Sequence, residues 1–170
     1  MTVQAKEKLI IDNKKYLMIS EPLESYLQAM KEKVKFDLRT TGCWRGYVGT
    51  WKLENEKLYL IDLVGTKYDS ELNTHNEVGM EYLFPNQKSV FANWFSGQLE
   101  IPDGTILMEG TTYLGDFLFL KFDKGVLIDF KSVDGLEKMV NDVQVTEPKR
   151  KTGFLKKVRK WFFPIYILTL

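Results

Sequence analysis

The sequence has a single cysteine, Cys43, and a single histidine, His75. One of each cannot supply the three or four nitrogen and sulfur ligands of a zinc or iron site, and one cysteine cannot form an intrachain disulfide. His75 could activate only a serine or Cys43, and no Gly-x-Ser-x-Gly motif is present. The sequence therefore predicts no metal, no cofactor and no catalytic residue of these kinds.

Long apolar runs are also missing. No stretch reaches the roughly 18 apolar residues that a membrane-spanning helix requires, and the first residues lack the apolar segment of a secretory signal. The glycines at positions 42, 46 and 49 surround a predicted strand, so they do not form a phosphate-binding loop. We expect a cytoplasmic protein, with peripheral attachment to a membrane as an alternative.

What the sequence does contain is a series of apolar and aromatic segments separated by short polar turns. The predicted turns lie at 12–15, 54–56, 102–104 and 123–125. They contain Asn, Asp or Gly, which tolerate the left-handed backbone of tight hairpins, and β-branched or aromatic residues flank them. We therefore predict an α+β fold that is mainly an antiparallel sheet, built from hairpins into a sandwich or partial barrel.

Helices are predicted to pack on this sheet, two or three in number. The first spans 21–33, with Ser20 as its N-cap and an apolar face of Leu23, Tyr26, Leu27 and Met30. A short helix is expected near 77–83, after a polar loop at 67–76. A weaker pattern indicates another helix that begins at 132 or 134 and ends near 143.

The charge is unevenly distributed along the chain. Residues 149–170 contain seven basic residues and no acidic one. The whole chain has 24 basic and 23 acidic residues. Residues 1–148 therefore contain 17 basic and 23 acidic residues, which gives them a net charge of −6. The sequence therefore divides into an acidic β-rich domain, 1–148, and a basic amphipathic C-terminal helix with a terminal strand, 149–170, expected to dock on the same domain.

The basic tail allows three interpretations. Its predicted helix has charged residues on one face and apolar residues, including Trp161, on the other; the charged residues are Lys156, Lys157, Arg159 and Lys160. This pattern suits docking on the acidic domain, contact with a protein partner, or binding to an anionic membrane surface. Binding to nucleic acid is disfavoured because the acidic domain would repel the same polymer.

Two groups of residues in the domain could form a site. Arg45, Tyr47, Trp51 and Trp94 could line the mouth of a barrel and contact a small ligand or a partner, although such aromatic residues more often fill a core. Asp62 and Asp129 lie within apolar strands and could support acid–base chemistry if they face a cavity. An outward orientation on a half-exposed strand is the more common arrangement for such carboxylates.

Two segments resemble known sequences. Residues 43–63, which read CWRGYVGTWKLENEKLYLIDL, and residues 90–97, VFANWFSG, resemble segments of small uncharacterised bacterial proteins. The Gly-Thr-Trp at 49–51, followed by a hairpin, is similar to a segment of lipocalin-like barrels. The resemblances imply a bacterial β protein and assign no role to any residue.

These observations lead to three functional hypotheses. The first is a non-enzymatic bacterial protein of the immunity or inhibitor kind that binds another macromolecule, with a protein as the expected partner. The second is a small-molecule-binding, lipocalin-like barrel. The third is an enzyme that uses Asp, Glu or Tyr in place of His and Cys. A cavity reached by Asp62 or Asp129 would favour the last two, and a filled core with an exposed apolar patch would favour the first.

Overall fold

A computed structural model of the chain describes residues 4–30, 34–38, 40–103 and 116–133. The elements in chain order are β1 (Glu7–Ile11), β2 (Lys14–Met18), α1 (Pro22–Ala29), β3 (Tyr47–Glu54), β4 (Lys57–Asp69), β5 (Thr74–Val78), α2 (Met80–Leu83), β6 (Val90–Phe91), β7 (Gly97–Asp103), β8 (Asp116–Asp123) and β9 (Val126–Val133). The helix predicted to end near 143 cannot begin at Ser132, because Ser132 belongs to β9 and pairs with Leu118. From residue 134 onward this prediction lies outside the described residues, and the basic tail 149–170 lies wholly outside them.

The nine strands form one sheet and contain 53% of the described residues. The strand order is β2-β1-β3-β4-β9-β8-β7, and β5 and β6 also pair with β4. A mainly antiparallel sheet is confirmed, but the sheet is mixed because β1 and β3 run parallel. β2 pairs with one edge of β1, and the connection through α1 returns the chain to the other edge. β3 therefore pairs with that other edge and runs parallel to β1.

Three of the four predicted turns are confirmed. Two residues with positive φ close each hairpin; the pairs are Asp12 (47°) and Asn13 (63°), Asn55 (49°) and Glu56 (61°), and Lys124 (46°) and Gly125 (79°). This conformation matches the twist of the flanking strands. The turn predicted at 102–104 was wrong at its first two positions, because Pro102 and Asp103 continue β7 and pair with Phe117 and Asp116.

Both described helices are shorter than predicted. α1 ends at Ala29, and α2 has only four residues. Ser20 does not cap α1. Its hydroxyl accepts a hydrogen bond from the Glu100 amide (2.8 Å) and donates one to the Gln98 carbonyl (3.2 Å). The neighbouring Ile19 amide donates to the Glu100 carbonyl (2.9 Å), so the end of β2 is joined to β7. The two ends of the strand order therefore meet.

The polar segment 67–76 was predicted as a loop, and the structure shows a hairpin instead. β4 continues to Asp69, and β5 begins at Thr74 and pairs with it. Neither helix in the described part of the chain is long and apolar enough to cross a membrane.

The core lies between the sheet and α1. Its largest fully buried side chains include Trp51, Tyr47, Leu9, Leu58 and Leu60. The ring of Trp94 stacks on Phe84 with centroids 5.8 Å apart and lies 4.8 Å from Tyr26 of α1. These contacts place α1 over the inner face of β3, where the candidate site lies.

Candidate functional site

The four aromatic and basic residues singled out in the domain lie together beside α1. The Arg45 guanidinium is 5.3 Å from the centre of the Tyr47 ring, and the Trp51 and Trp94 rings meet edge to face at 6.5 Å. The Trp94 indole donates to the Pro22 carbonyl at the start of α1 (3.2 Å). The structure thus brings them together within the fold. Their role as ligand or partner contacts stays a prediction.

At the centre of this group is Glu7, which the sequence interpretation missed. Glu7 alternates with Leu9 and Ile11 on β1, and all three face the interior. One Glu7 carboxylate oxygen, Oε2, accepts a hydrogen bond from the Trp51 indole. The other, Oε1, lies 3.7 Å from Arg45 Nε. The position of Glu7 in a period-two apolar pattern was the signal that could have identified it.

Gly49 leaves the space that the Glu7 carboxylate occupies. Alternation along β3 places Tyr47, Gly49 and Trp51 on the inner face. A Cβ atom at Gly49 would lie 2.8 Å from Trp51 Nε1 and 3.0 Å from Glu7 Oε2. Both distances are shorter than a van der Waals contact, so any larger residue would displace the indole or the carboxylate.

Arg45 links Glu7 to the start of α1. Its Nη1 atom donates to Glu21 Oε1 at 2.9 Å, and only 11% of its side chain is exposed. Four buried atoms of this network have no hydrogen-bond partner among the described residues; they are Glu7 Oε1, Arg45 Nε, Arg45 Nη2 and Tyr47 Oη. A partly satisfied buried network is sensitive to any change in charge, since the low local dielectric amplifies each interaction.

The surroundings shift two acid groups. Burial raises the pKa of Glu7 from 4.5 to about 7, although the Trp51 hydrogen bond and the Arg45 charge oppose the shift. Burial also raises the pKa of the Tyr47 hydroxyl, and the negative charges of Glu7, Glu24 and Glu21 act in the same direction. Glu7 can therefore change its protonation near neutral pH. Its residue surface is 1% exposed, so a substrate would not reach it without a movement of the chain.

The two strand aspartates face outward. Asp62 and Asp129 are exposed, and each accepts a hydrogen bond from the following backbone amide, at 2.9 Å from Leu63 and 2.8 Å from Phe130. Acid–base chemistry was expected only if these carboxylates faced a cavity, and in the part of the chain that the structure describes they face solvent instead. His75 lies exposed on β5, with its ring 5.2 Å from that of Tyr68.

A surface groove of about 550 Å³ lies between the β1–β2 and β3–β4 turns. Its lining includes Asp12, Lys52 and Glu54, and none of the four residues predicted for a ligand mouth. Glu7 stands at the opposite end of β1 from this groove. The groove and the buried network are therefore separate features.

A second feature is a group of exposed apolar side chains on loop 40–46 and on the segments that are hydrogen-bonded to it, which we name the Trp44 surface. Its large side chains are Leu38, Trp44, Val64 and Tyr68. Hydrogen bonds join the segments that carry them. The Asp37 amide donates to the Thr66 carbonyl (2.8 Å), the Thr66 amide to the Gly46 carbonyl (2.9 Å), and the Tyr68 amide to the Asp37 carboxylate (2.7 Å).

Trp44 is the most exposed of the large apolar side chains in the described residues, at 71%. Its backbone is nevertheless anchored. The Trp44 amide donates to the Gln4 side-chain carbonyl (3.0 Å), the Gln4 side-chain amide donates to the Thr41 carbonyl (2.9 Å), and the Ala5 amide donates to the Gly42 carbonyl (2.6 Å). The indole is thus presented to solvent from a fixed loop.

Comparisons with protein-family models, curated proteins and solved structures find no match to this chain. The resemblances noted in residues 43–63 and 90–97 therefore stay predictions.

Proposed function

We propose that this protein is a non-enzymatic binding module of the immunity or inhibitor kind, which engages a protein partner through the Trp44 surface. The observation that carries the proposal is the 71% exposure of Trp44 on a loop that is anchored by hydrogen bonds. Burial of the indole in folding does not explain this position, because the indole remains in water.

An exposed, fixed tryptophan is well suited to binding. Tryptophan is enriched among the residues that contribute most to protein–protein affinity, since it buries a large area. Its loop loses little conformational freedom on binding because the loop is already held in place. Leu38, Val64 and Tyr68 add exposed apolar side chains on the segments that hydrogen bonds join to its loop.

The other two hypotheses receive less support. A small-molecule barrel needs an open interior near the predicted mouth, but Tyr47 and Trp51 are fully buried there and Trp94 is half-buried. An enzyme based on carboxylates would need them in a cavity that a substrate can enter, but Asp62 and Asp129 face open solvent and Glu7 is enclosed. These observations favour a binding module.

Two finer features belong to the same proposal. We infer that the sheet is rolled into a partial barrel with α1 packed on it, because hydrogen bonds join β2 to β7 at the two ends of the strand order. Residues 149–170, with Lys156, Lys157, Arg159, Lys160 and Trp161, are proposed to dock on the acidic domain; contact with an anionic membrane surface is the alternative.

Photo-cross-linking in a bacterial host tests the proposal. A benzophenone amino acid replaces Trp44 in one variant and Ile128 in the control. Ile128 is also exposed, at 56%, and lies on β9. We expect irradiation to give a discrete protein adduct from position 44 and none from position 128. Equal adducts from both positions, or no adduct from position 44, would contradict the proposed contact surface.

A further inference from the structure

We propose that Glu7 and Arg45 form a pH-dependent latch on loop 40–46, in which loss of the Glu7 proton favours release of the loop that presents Trp44. Only the consequence for partner binding rests on the proposed function. The latch itself is a property of the fold.

The Arg45 side chain lies next to the Glu7 carboxyl and helps to keep it from solvent. Arg45 immediately follows Trp44, and its Nε lies 3.7 Å from Glu7 Oε1 while its Nη1 bonds Glu21. The residues before Glu7 hold the same loop, because Ala5 donates to the Gly42 carbonyl and Gln4 bonds the Trp44 amide. A movement of loop 40–46 would therefore draw Arg45 away and admit water to the carboxyl.

Burial makes the charge of the carboxyl unfavourable in the closed state, and the groups that face it offset this only in part. Arg45 comes from the loop, Glu21 from the residue before α1, and the Trp51 indole from β3. The Tyr47 hydroxyl on β3 interacts electrostatically with Glu7, and also with Glu24 in the first turn of α1. Among these described neighbours two are acidic and one is basic. Burial and Glu21 disfavour ionisation of Glu7, and the hydrogen bond from Trp51, the charge of Arg45 and the backbone hydrogen bond from Gly49 only partly compensate.

The sign of the pH effect follows from linkage. The pKa of Glu7 is about 7 in the closed structure, with the effect of Arg45 included, and the ordinary value of 4.5 applies once water reaches the carboxyl. The open state therefore binds fewer protons between these values, so opening becomes more favourable as pH rises. For full hydration of the carboxyl, the open fraction would increase roughly 30-fold between pH 5.5 and pH 8.

This dependence has a consequence for the Trp44 surface. At the lower pH the loop is closed and the indole is presented in a fixed position. At the higher pH part of the population has a released loop, and a partner must first close it. We therefore expect tighter partner binding below neutral pH than above it.

Amide hydrogen exchange, corrected for the intrinsic pH dependence of the chemical exchange rate, tests the latch in the full chain without any partner. The reporters are the Ala5 and Trp44 amides, whose acceptors are Gly42 and Gln4. Leu99 and Leu120, paired between β7 and β8, report on global unfolding. The test variant is Glu7→Gln.

We expect the protection of the Ala5 and Trp44 amides to fall roughly 30-fold from pH 5.5 to pH 8 in the wild type and to stay constant in Glu7→Gln. At both pH values the Ala5 and Trp44 amides should be less protected than those of Leu99 and Leu120, because the loop opens without global unfolding. A control variant, Glu71→Gln, removes an exposed loop carboxylate and should behave as the wild type.

Constant wild-type protection at the loop, or loop protection as high as that of Leu99 and Leu120, would overturn the latch even if Glu7→Gln failed to fold. A fall that persisted in a folded Glu7→Gln variant would also overturn it. Failure of the cross-link at position 44 would refute the proposed function and leave the latch standing. The two proposals can therefore fail separately.

Discussion

Replacing Glu7 by Gln should remove most of the pH dependence of stability that this site creates. The amide keeps the size of the carboxyl group, and its oxygen can still accept the hydrogen bond from the Trp51 indole. The change removes only the ability to ionise inside the fold. It therefore isolates the cost of burying the Glu7 charge.

The magnitude follows from the pKa of Glu7 in the folded and unfolded chain. A rise from 4.5 to about 7 corresponds to about 3 kcal/mol of unfolding free energy. Because the folded-state pKa is the higher one, this stability is fully present below pH 4.5 and is lost as pH rises through about 7. Between pH 5 and pH 8 the wild type should lose about 2.5 kcal/mol from this group.

Urea unfolding at pH 5 and pH 8 measures this loss in the wild type, Glu7→Gln and the control Glu71→Gln. All three share the other titrating groups, so the difference between the pH slopes of the wild type and Glu7→Gln reports on Glu7 alone. We expect Glu71→Gln to retain the wild-type slope. Equal slopes in the wild type and Glu7→Gln would show that Glu7 keeps an ordinary pKa, and would refute the reasoning about its burial.

Three further predictions concern packing and the tail. Gly49→Ala should lower the unfolding free energy by about 2 kcal/mol, because the new Cβ would lie 2.8 Å from the Trp51 indole nitrogen. The control Gly79→Ala, whose Cβ would have its nearest contact at 3.4 Å, should change the unfolding free energy by less than about 1 kcal/mol. Equal effects of the two substitutions would contradict the close packing at Gly49. In the same denaturation assay Trp51→Ala should lower the unfolding free energy by about 3 to 5 kcal/mol, and Trp44→Ala by less than about 1 kcal/mol, since only Trp51 is buried. A large loss for Trp44→Ala would mean that the Trp44 indole stabilises the fold. If the basic tail contacts membranes, co-sedimentation with anionic liposomes should decrease when the chain ends at Glu147, and undiminished binding would exclude that role.

The parts of the fold that could be predicted are those fixed by neighbouring residues. The pairs Asp12–Asn13 and Asn55–Glu56 determine tight turns locally, so the hairpins around them follow from a few positions. The parallel pairing of β1 with β3 could not be read in this way, because it depends on how α1 returns the chain. The β4–β5 hairpin was missed because β5 is almost wholly exposed and so lacks an alternating apolar pattern.

The candidate site was predictable in part for a related reason. Arg45, Tyr47 and Trp51 are close in sequence, and strand alternation places the last two on one face. Glu7 lies 44 positions from Trp51, and only the parallel pairing of β1 with β3 brings them together. The exposure of Trp44 could not be predicted either, because a tryptophan that lies close to other aromatic residues in the sequence is usually a core residue.

The affinity of the cross-linked partner tests the central claim most directly, namely that the Trp44 surface is the binding site. Isothermal titration of the purified partner with the wild type, Trp44→Ala and Ile128→Ala would compare two exposed apolar side chains on different parts of the surface. We expect Trp44→Ala to raise the Kd at least about tenfold and Ile128→Ala to leave it unchanged. An unchanged Kd for Trp44→Ala would contradict the account.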